Sequence, residues 1–358
     1  MDKKFFMGIA AMAALTLVSC SSDDLDSLSD NSSKNEAISF DGYLGRSAVA
    51  VNGSRGSVLD KPALQKLTDG AFGVFGNYSK DATTTYGENL FKNQKVTYSD
   101  PNWTYTPYKY WLPEGHIDFL AYAPYDATKT ALTDSKSKIG FTVDKEIAKQ
   151  KDLLWANAAG QTQANKPVTF TFNHALSRLG YTVKLKKDCS NDVTITLKSI
   201  TLAGSENGTD GAFYETGTID LAKGKKEDGL WPVHEGKQRF DWFSGEYRVT
   251  SSTPHHPNKT VDNGNRNQED DYLFVIPQDF SSSASDADKL YVIVVYTIQY
   301  NGISETLTNT VRKQLPYNFK QGMAYTINLT IGRPIDFDVD TNITSWEDDN
   351  TIPEIPMD

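Results

Sequence analysis

From Val168 to Phe172 the chain reads Val-Thr-Phe-Thr-Phe, apolar and polar in strict alternation. A strand turns successive side chains to opposite faces, so a period of two puts Val168, Phe170 and Phe172 on one face and both threonines on the other. The same period recurs at Leu179, Tyr181, Val183 and Leu185, at Val193, Ile195 and Leu197, and at Tyr325, Ile327, Leu329 and Ile331. A helix of 3.6 residues per turn would scatter these side chains around its circumference. Leu290 to Tyr300 (LYVIVVYTIQY) is mostly β-branched and aromatic, which predicts a fully buried central strand. Turn formers separate the runs, at Asn52-Gly53-Ser54, Ser205-Glu206-Asn207-Gly208, Asn263-Gly264-Asn265 and Asn301-Gly302. Only Lys61 to Leu67 and Lys145 to Gln150 suit a short turn or helix. The predicted fold is all-β, built as β-sandwiches without an internal sequence repeat. About 320 residues beyond the N-terminal region are enough for two domains. The best border is Asn173 to Arg178, just after one strand, which divides 38–173 from 174–358. The polar stretch Val249 to Asp271 reads as a surface loop of the second block.

The N-terminal region breaks this pattern. Lys3 and Lys4 precede an apolar run from Phe5 to Val18, shorter than the roughly 20 residues of a membrane span. That is the build of a secretory signal peptide over residues 1–19. It ends in Leu17-Val18-Ser19-Cys20, which resembles a bacterial lipobox. The resemblance implies that the Cys20 thiol is acylated, for instance with palmitate, and that Cys20 becomes the N-terminus after cleavage. Residues 20–37 then form a tether rich in serine and aspartate, with almost nothing to bury. Acidic residues directly after the cysteine resemble the surface-export signal of Bacteroidetes lipoproteins. With Cys20 acylated, Cys189 has no partner for an intramolecular disulfide, and packing alone must hold the fold.

Candidate chemistry is sparse. The net charge is −10 and no basic residues cluster, so a nucleic-acid partner is not expected. His255 and His256 are adjacent in a loop rich in proline and asparagine, which reads as a solvated loop and not a metal site. His174 follows a strand and reads as a structural histidine. Asp336, Asp338, Asp340 and Glu347 have calcium-loop spacing, but Thr341 stands where glycine is required, so they read as one acidic strand face. There is no Ser-centred elbow, no HExxH and no Gly-rich phosphate loop. Neither a cofactor nor a catalytic residue is expected. Trp103, Tyr105, Tyr108, Tyr110 and Trp111 leave two readings open, core packing or a sugar-stacking platform.

Several segments together resemble the fimbrillins of Bacteroidetes, the subunits of type V pili. They are the lipobox; Phe72-Gly73-Val74-Phe75-Gly76-Asn77-Tyr78; Trp103-Thr104-Tyr105 with Tyr110-Trp111-Leu112-Pro113; Ile117-Asp118-Phe119-Leu120-Ala121-Tyr122-Ala123-Pro124; Asp152-Leu153-Leu154-Trp155-Ala156; and Phe170 to Leu179 (FTFNHALSRL). The resemblance implies two transthyretin-like β-sandwich domains in tandem. It further implies an outer-membrane lipid-anchored precursor, trimming after an arginine by a processing protease, and polymerisation with other pilus subunits by strand exchange into a cell-surface pilus.

Ile38, Phe40 and Leu44 alternate with polar residues and suit a first strand that trimming would release. Arg55, in the flexible Asn52-Gly53-Ser54-Arg55-Gly56-Ser57, is the favoured cleavage site, with Arg46 nearer the strand as the alternative. Ile335, Phe337, Val339 and Ile343 share one face of a C-terminal strand and are the candidate donor residues; the competing reading is that this strand completes its own domain. The alternative function is a monomeric outer-surface lipoprotein that binds glycans of host or bacterial surfaces. For Cys20, the expected outcome is that Cys20→Ala leaves the precursor unprocessed or soluble. Membrane partition equal to the parent's, measured by detergent phase separation, would overturn the lipid anchor.

Overall fold

The computed structural model describes residues 36–44, 64–65, 70–133, 136–225, 227–256, 272–281, 288–332 and 337–345. The described residues are almost wholly strand, turn and loop. In chain order the first ten strands are β1 (Phe40–Leu44), β2 (Ala71–Ser79), β3 (Phe91–Ser99), β4 (Asn102–Thr104), β5 (His116–Ala123), β6 (Lys138–Thr142), β7 (Leu154–Gln161), β8 (Val168–His174), β9 (Ser177–Leu185) and β10 (Val193–Ala203). The second ten are β11 (Phe213–Asp220), β12 (Val233–Gln238), β13 (Phe240–Arg248), β14 (Leu273–Val275), β15 (Gln278–Asp279), β16 (Tyr291–Tyr300), β17 (Thr306–Gln314), β18 (Asn318–Phe319), β19 (Met323–Ile331) and β20 (Phe337–Ser345). Leu64 and Gln65 are helical, and Ile147–Lys149 and Gln163–Asn165 are single 3-10 turns.

A seven-stranded sheet runs β1-β8-β7-β5-β2-β3-β4. Its pairs are antiparallel except at the first edge, where β1 lies parallel to β8 with Phe40 opposite Val168 and Leu44 opposite Phe172. The middle of this sheet is covered on both faces. Phe72 and Val74 of β2 and Phe119 and Ala121 of β5 pack into one buried cluster. Their neighbours Phe75, Leu120 and Tyr122, with Trp155 of β7, face the opposite way into a second cluster that includes Leu179, Leu197, Val294 and Leu329. A strand buried on both faces loses its polar alternation, which is why β2 and β5 read as continuous apolar runs. Gly73 makes room for one of these rings: a Cβ there would lie 2.4 Å from the ring of Tyr122.

The later strands form a sheet β13-β10-β16-β17, a sheet β14-β9-β19-β20, a sheet β12-β11-β6 and the pair β15-β18. β6 precedes the expected border at Asn173–Arg178 but pairs with β11, which follows it. Ala175 and Leu176, inside that border, are fully buried in the second cluster and do not form an exposed linker.

Two sequence expectations need correction. β16 is central, hydrogen-bonded to β10 on one side and β17 on the other, but it is not fully buried. Val292, Ile293, Val294 and Tyr296 are buried, whereas Tyr291, Val295 and Thr297 are half-buried and Gln299 and Tyr300 are exposed. The period of two is present, hidden in the sequence because apolar residues occupy both faces. His255 is also not solvated. It is buried, exchanges backbone hydrogen bonds with Val183 (2.8 and 2.9 Å), and stacks its ring on Tyr247 at 4.1 Å.

These two faces of β16 can be told apart experimentally. Val294→Asp puts a charge where no water reaches and is expected to cost about 3–5 kcal/mol. Val295→Asp can turn its carboxylate toward solvent and is expected to cost clearly less. Denaturant midpoints that fall equally in both variants would contradict this assignment.

Candidate functional site

The edge strand β1 is five residues long, and its pairing to β8 is the point of interest. β8 meets β7 only through His174 opposite Leu154 and Asn173 opposite Trp155. Val168 to Phe172 therefore have β1 as their strand partner among the described residues. Phe40 alternates inward from β1 and sits among four rings, with centroids 5.5 Å from Phe91, 5.3 Å from Tyr105, 5.4 Å from Phe119 and 5.8 Å from Phe170. Ile38 is buried beside it, and Leu44 is half-buried against the same cluster. At Gly42 a Cβ would come within 3.0 Å of Leu64, so that side chain closes tightly over the strand.

The approach to β1 is held by the segment carrying the aromatic cluster. The Ile38 amide donates to the Lys109 carbonyl (2.8 Å), the Tyr105 hydroxyl donates to the Ile38 carbonyl (2.9 Å), and the Trp111 amide donates to the Glu36 carbonyl (3.1 Å). Lys166 donates to the Glu36 carboxylate; this hydrogen bond holds that carboxyl below the usual carboxylate range. The contact is present at neutral pH and is lost as pH falls through the lowered value and Glu36 gains a proton. Trp103, Tyr105 and Trp111 are buried, while Tyr108 is exposed and Tyr110 half-buried. The five aromatics thus do not form an open stacking platform. Three of them are core, and two of those three brace the β1 approach. Nothing in the sequence marked Lys109 or Glu36 for this role, because the contacts each makes to the β1 approach and the Trp111 amide run through backbone carbonyls.

The remaining candidate residues fall as follows. Ile38, Phe40 and Leu44 are brought together at the edge. Cys20, Arg46, Arg55 and Ile335 lie outside the described residues. Phe337 begins β20, which pairs antiparallel with β19 so that Phe337 stands opposite Ile331, Val339 opposite Leu329 and Ile343 opposite Tyr325. Val339 packs half-buried on the second cluster, whereas Ile343, on the same face, is 53% exposed. The strand covers its own sheet at one end, and its apolar face is bare at the other. His174 is buried and its Nδ1 lies 2.5 Å from Asp152 Oδ2, the structural role expected of it. Among the described residues no three His, Cys, Asp or Glu side chains are grouped to hold a metal ion.

This architecture is that of an all-β protein whose sheets pack face to face, with a short strand seated at one sheet edge. The chain belongs to the fimbrillin-like family, whose model matches residues 66–346. It is similar in fold to a fimbrial protein from Bacteroides vulgatus, with a TM-score of 0.63 at 20% identity over 87% of this chain and 100% of that one. It is also similar to a candidate cell adhesion protein from Bacteroides ovatus, with a TM-score of 0.50 at 18% identity over 88% and 99% of the two chains. A search of curated protein sequences returned no match.

Phe40→Ala removes the ring shared by four others and is expected to destabilise the protein by about 3–5 kcal/mol. A denaturant midpoint unchanged from the parent would mean that β1 is not seated in this groove.

Proposed function

We propose that this chain is a structural subunit of a cell-surface pilus that polymerises when β1 is replaced by a strand from a neighbouring subunit. The observation that carries the reading is the pairing of Val168–Phe172 with a short edge strand that buries Phe40, with Ile38 buried just ahead of it. Departure of β1 would leave the β8 backbone edge without its partner and open an apolar slot among Phe91, Tyr105, Phe119 and Phe170. An unpaired edge of that kind recruits another chain by strand addition. β1 is short and its pairing is parallel, which is slightly less stable per residue than an antiparallel one. An antiparallel replacement of equal length would therefore be favoured.

Membership in the fimbrillin-like family supports adhesion through a surface pilus and association with other pilus subunits. The finer route is part of the proposal. The precursor is anchored at the outer membrane through lipid on Cys20, and a protease cuts after Arg55 or Arg46. The freed groove then takes the strand carrying Ile335, Phe337, Val339 and Ile343 from a neighbour. The exposed Ile343 favours β20 as donor, since part of its apolar face is not used within its own sheet. Asp336, Asp338 and Asp340 alternate in the sequence with these apolar residues, and such charges would discourage indiscriminate pairing. We further propose that residues 38–173 and 174–358 act as two tandem domains along the fibre.

Trimming the purified protein with a trypsin-like protease is expected to give a ladder of SDS-resistant oligomers. A variant with both Arg46→Ala and Arg55→Ala, and a chain ending at residue 333, should each stay monomeric. Polymer from either one would overturn the mechanism.

A further inference from the structure

A concave site of about 240 Å³ lies at the end of the seven-stranded sheet where β2 finishes and β5 begins. Its walls include Tyr78, Trp111, Glu114, His116, Ile117 and Gln163. The loop Trp111–Gly115 can close against β2 because of one glycine. Gly115 has φ +80°, and a Cβ there would lie 2.4 Å from the Ser79 carbonyl oxygen and 2.9 Å from the Tyr78 ring.

One polar wall is preset. His116 Nε2 lies 3.1 Å from Asp118 Oδ2, and Asp118 is fully buried, accepting from the amides of Thr85 (2.7 Å) and Gly160 (2.6 Å). That anchoring fixes the imidazole and engages Nε2, leaving Nδ1 for another contact. Trp111 is buried, and among the described residues its indole N–H, like those of Trp103 and Trp242, has no hydrogen-bond partner. Buried donors are seldom left in that state. Glu114 and Gln163 stand at the rim with exposed side chains. The cations at hand are already matched: Lys80 lies 3.9 Å from Glu114, and Lys166 is paired with Glu36.

Size and chemistry together narrow the occupant. An apolar cavity of about 150 Å³ accepts a benzene ring. The present site therefore has room for one six-membered ring with substituents, and little more. Its walls mix aromatic and aliphatic faces with one fixed imidazole and two polar side chains at the rim, a mixture found in small-molecule sites. A ring with C–H faces and equatorial hydroxyls satisfies both sets. The absence of an unmatched cation among the wall residues, with Glu114 present, disfavours an acidic sugar.

We infer that this pocket receives the terminal neutral pyranose of a glycan, with Tyr78 against the ring and Glu114, His116 and Gln163 reading its hydroxyls. The inference rests on the pocket alone and not on strand exchange. It applies to the chain with β1 seated, because the Trp111 amide is held by the Glu36 carbonyl just ahead of that strand.

The test uses the uncleaved protein and methyl pyranosides of glucose, galactose, mannose and N-acetylglucosamine at about 10 mM, enough to load a site of millimolar Kd. Saturation-transfer NMR is expected to show transfer to the ring protons of at least one of these glycosides and little to a methyl sialoside. Gln163→Ala and Glu114→Ala, both exposed changes, should each weaken that binding about tenfold, equivalent to one decade in Kd. No transfer to any neutral glycoside would overturn the proposal. So would binding unchanged in both Gln163→Ala and Glu114→Ala, stronger binding of the sialoside, or a preference for free reducing hexoses that excludes their methyl glycosides.

Discussion

The burial of β2 and β5 on both faces is the constraint from which the remaining structure follows. Phe72, Val74, Phe119 and Ala121 commit one face to the cluster that holds β1, while Phe75, Leu120 and Tyr122 commit the other to the later sheets. Neither cluster can be emptied without exposing the same two strands. Polar contacts fix the seam. Trp155 Nε1 donates to the Lys223 carbonyl (3.0 Å), and Asn157 Nδ2 donates to the Leu221 carbonyl (2.9 Å), tying β7 to a segment more than 60 residues later. The Tyr122 hydroxyl is shared between Asn93 Oδ1 (2.8 Å) and the Asp126 carbonyl (2.9 Å), and burial pushes that phenol well above its ordinary range. Cys189 is buried and free, so these contacts and not a disulfide hold the described residues together.

Against that rigid middle the sheet edges differ in kind. β17 is a nine-residue edge with mostly exposed side chains, among them Arg312 and Lys313. Charges of that sort let an edge remain open to water without recruiting other chains. β1 is the reverse case, short, parallel to its neighbour and carrying buried Phe40, with Ile38 buried just ahead of it. Nothing about β17 would change for the worse if it stayed an edge permanently. β1 conceals a groove that its departure would expose, and this asymmetry is why functional interest falls on the first strand.

Alternation made strands such as β8, β9 and β19 legible, because each has one face inward and one outward. It also placed Phe40 and Leu44 on one strand, although Ile38 lies two residues ahead of that strand's start. The same rule misled at β16, where apolar residues on a half-open face concealed the period. It was silent at His255, whose burial depends on Val183, Tyr181 and Tyr247 arriving from distant positions. The aromatic cluster was visible as composition, but its division into core and surface was not.

By itself the sequence determined the all-β class and the family resemblance, because side-chain period and motif order are local properties of the chain. It also carried the first-strand pattern at Ile38, Phe40 and Leu44. Tertiary structure decided that this strand runs parallel to β8, that β6 joins sheets across the expected border, and that Tyr78, Trp111, Glu114, His116 and Gln163 meet around one cavity. Those are contacts between residues far apart in sequence. They are fixed only when both faces of β2 and β5 have been covered, and no local pattern encodes which partners do the covering.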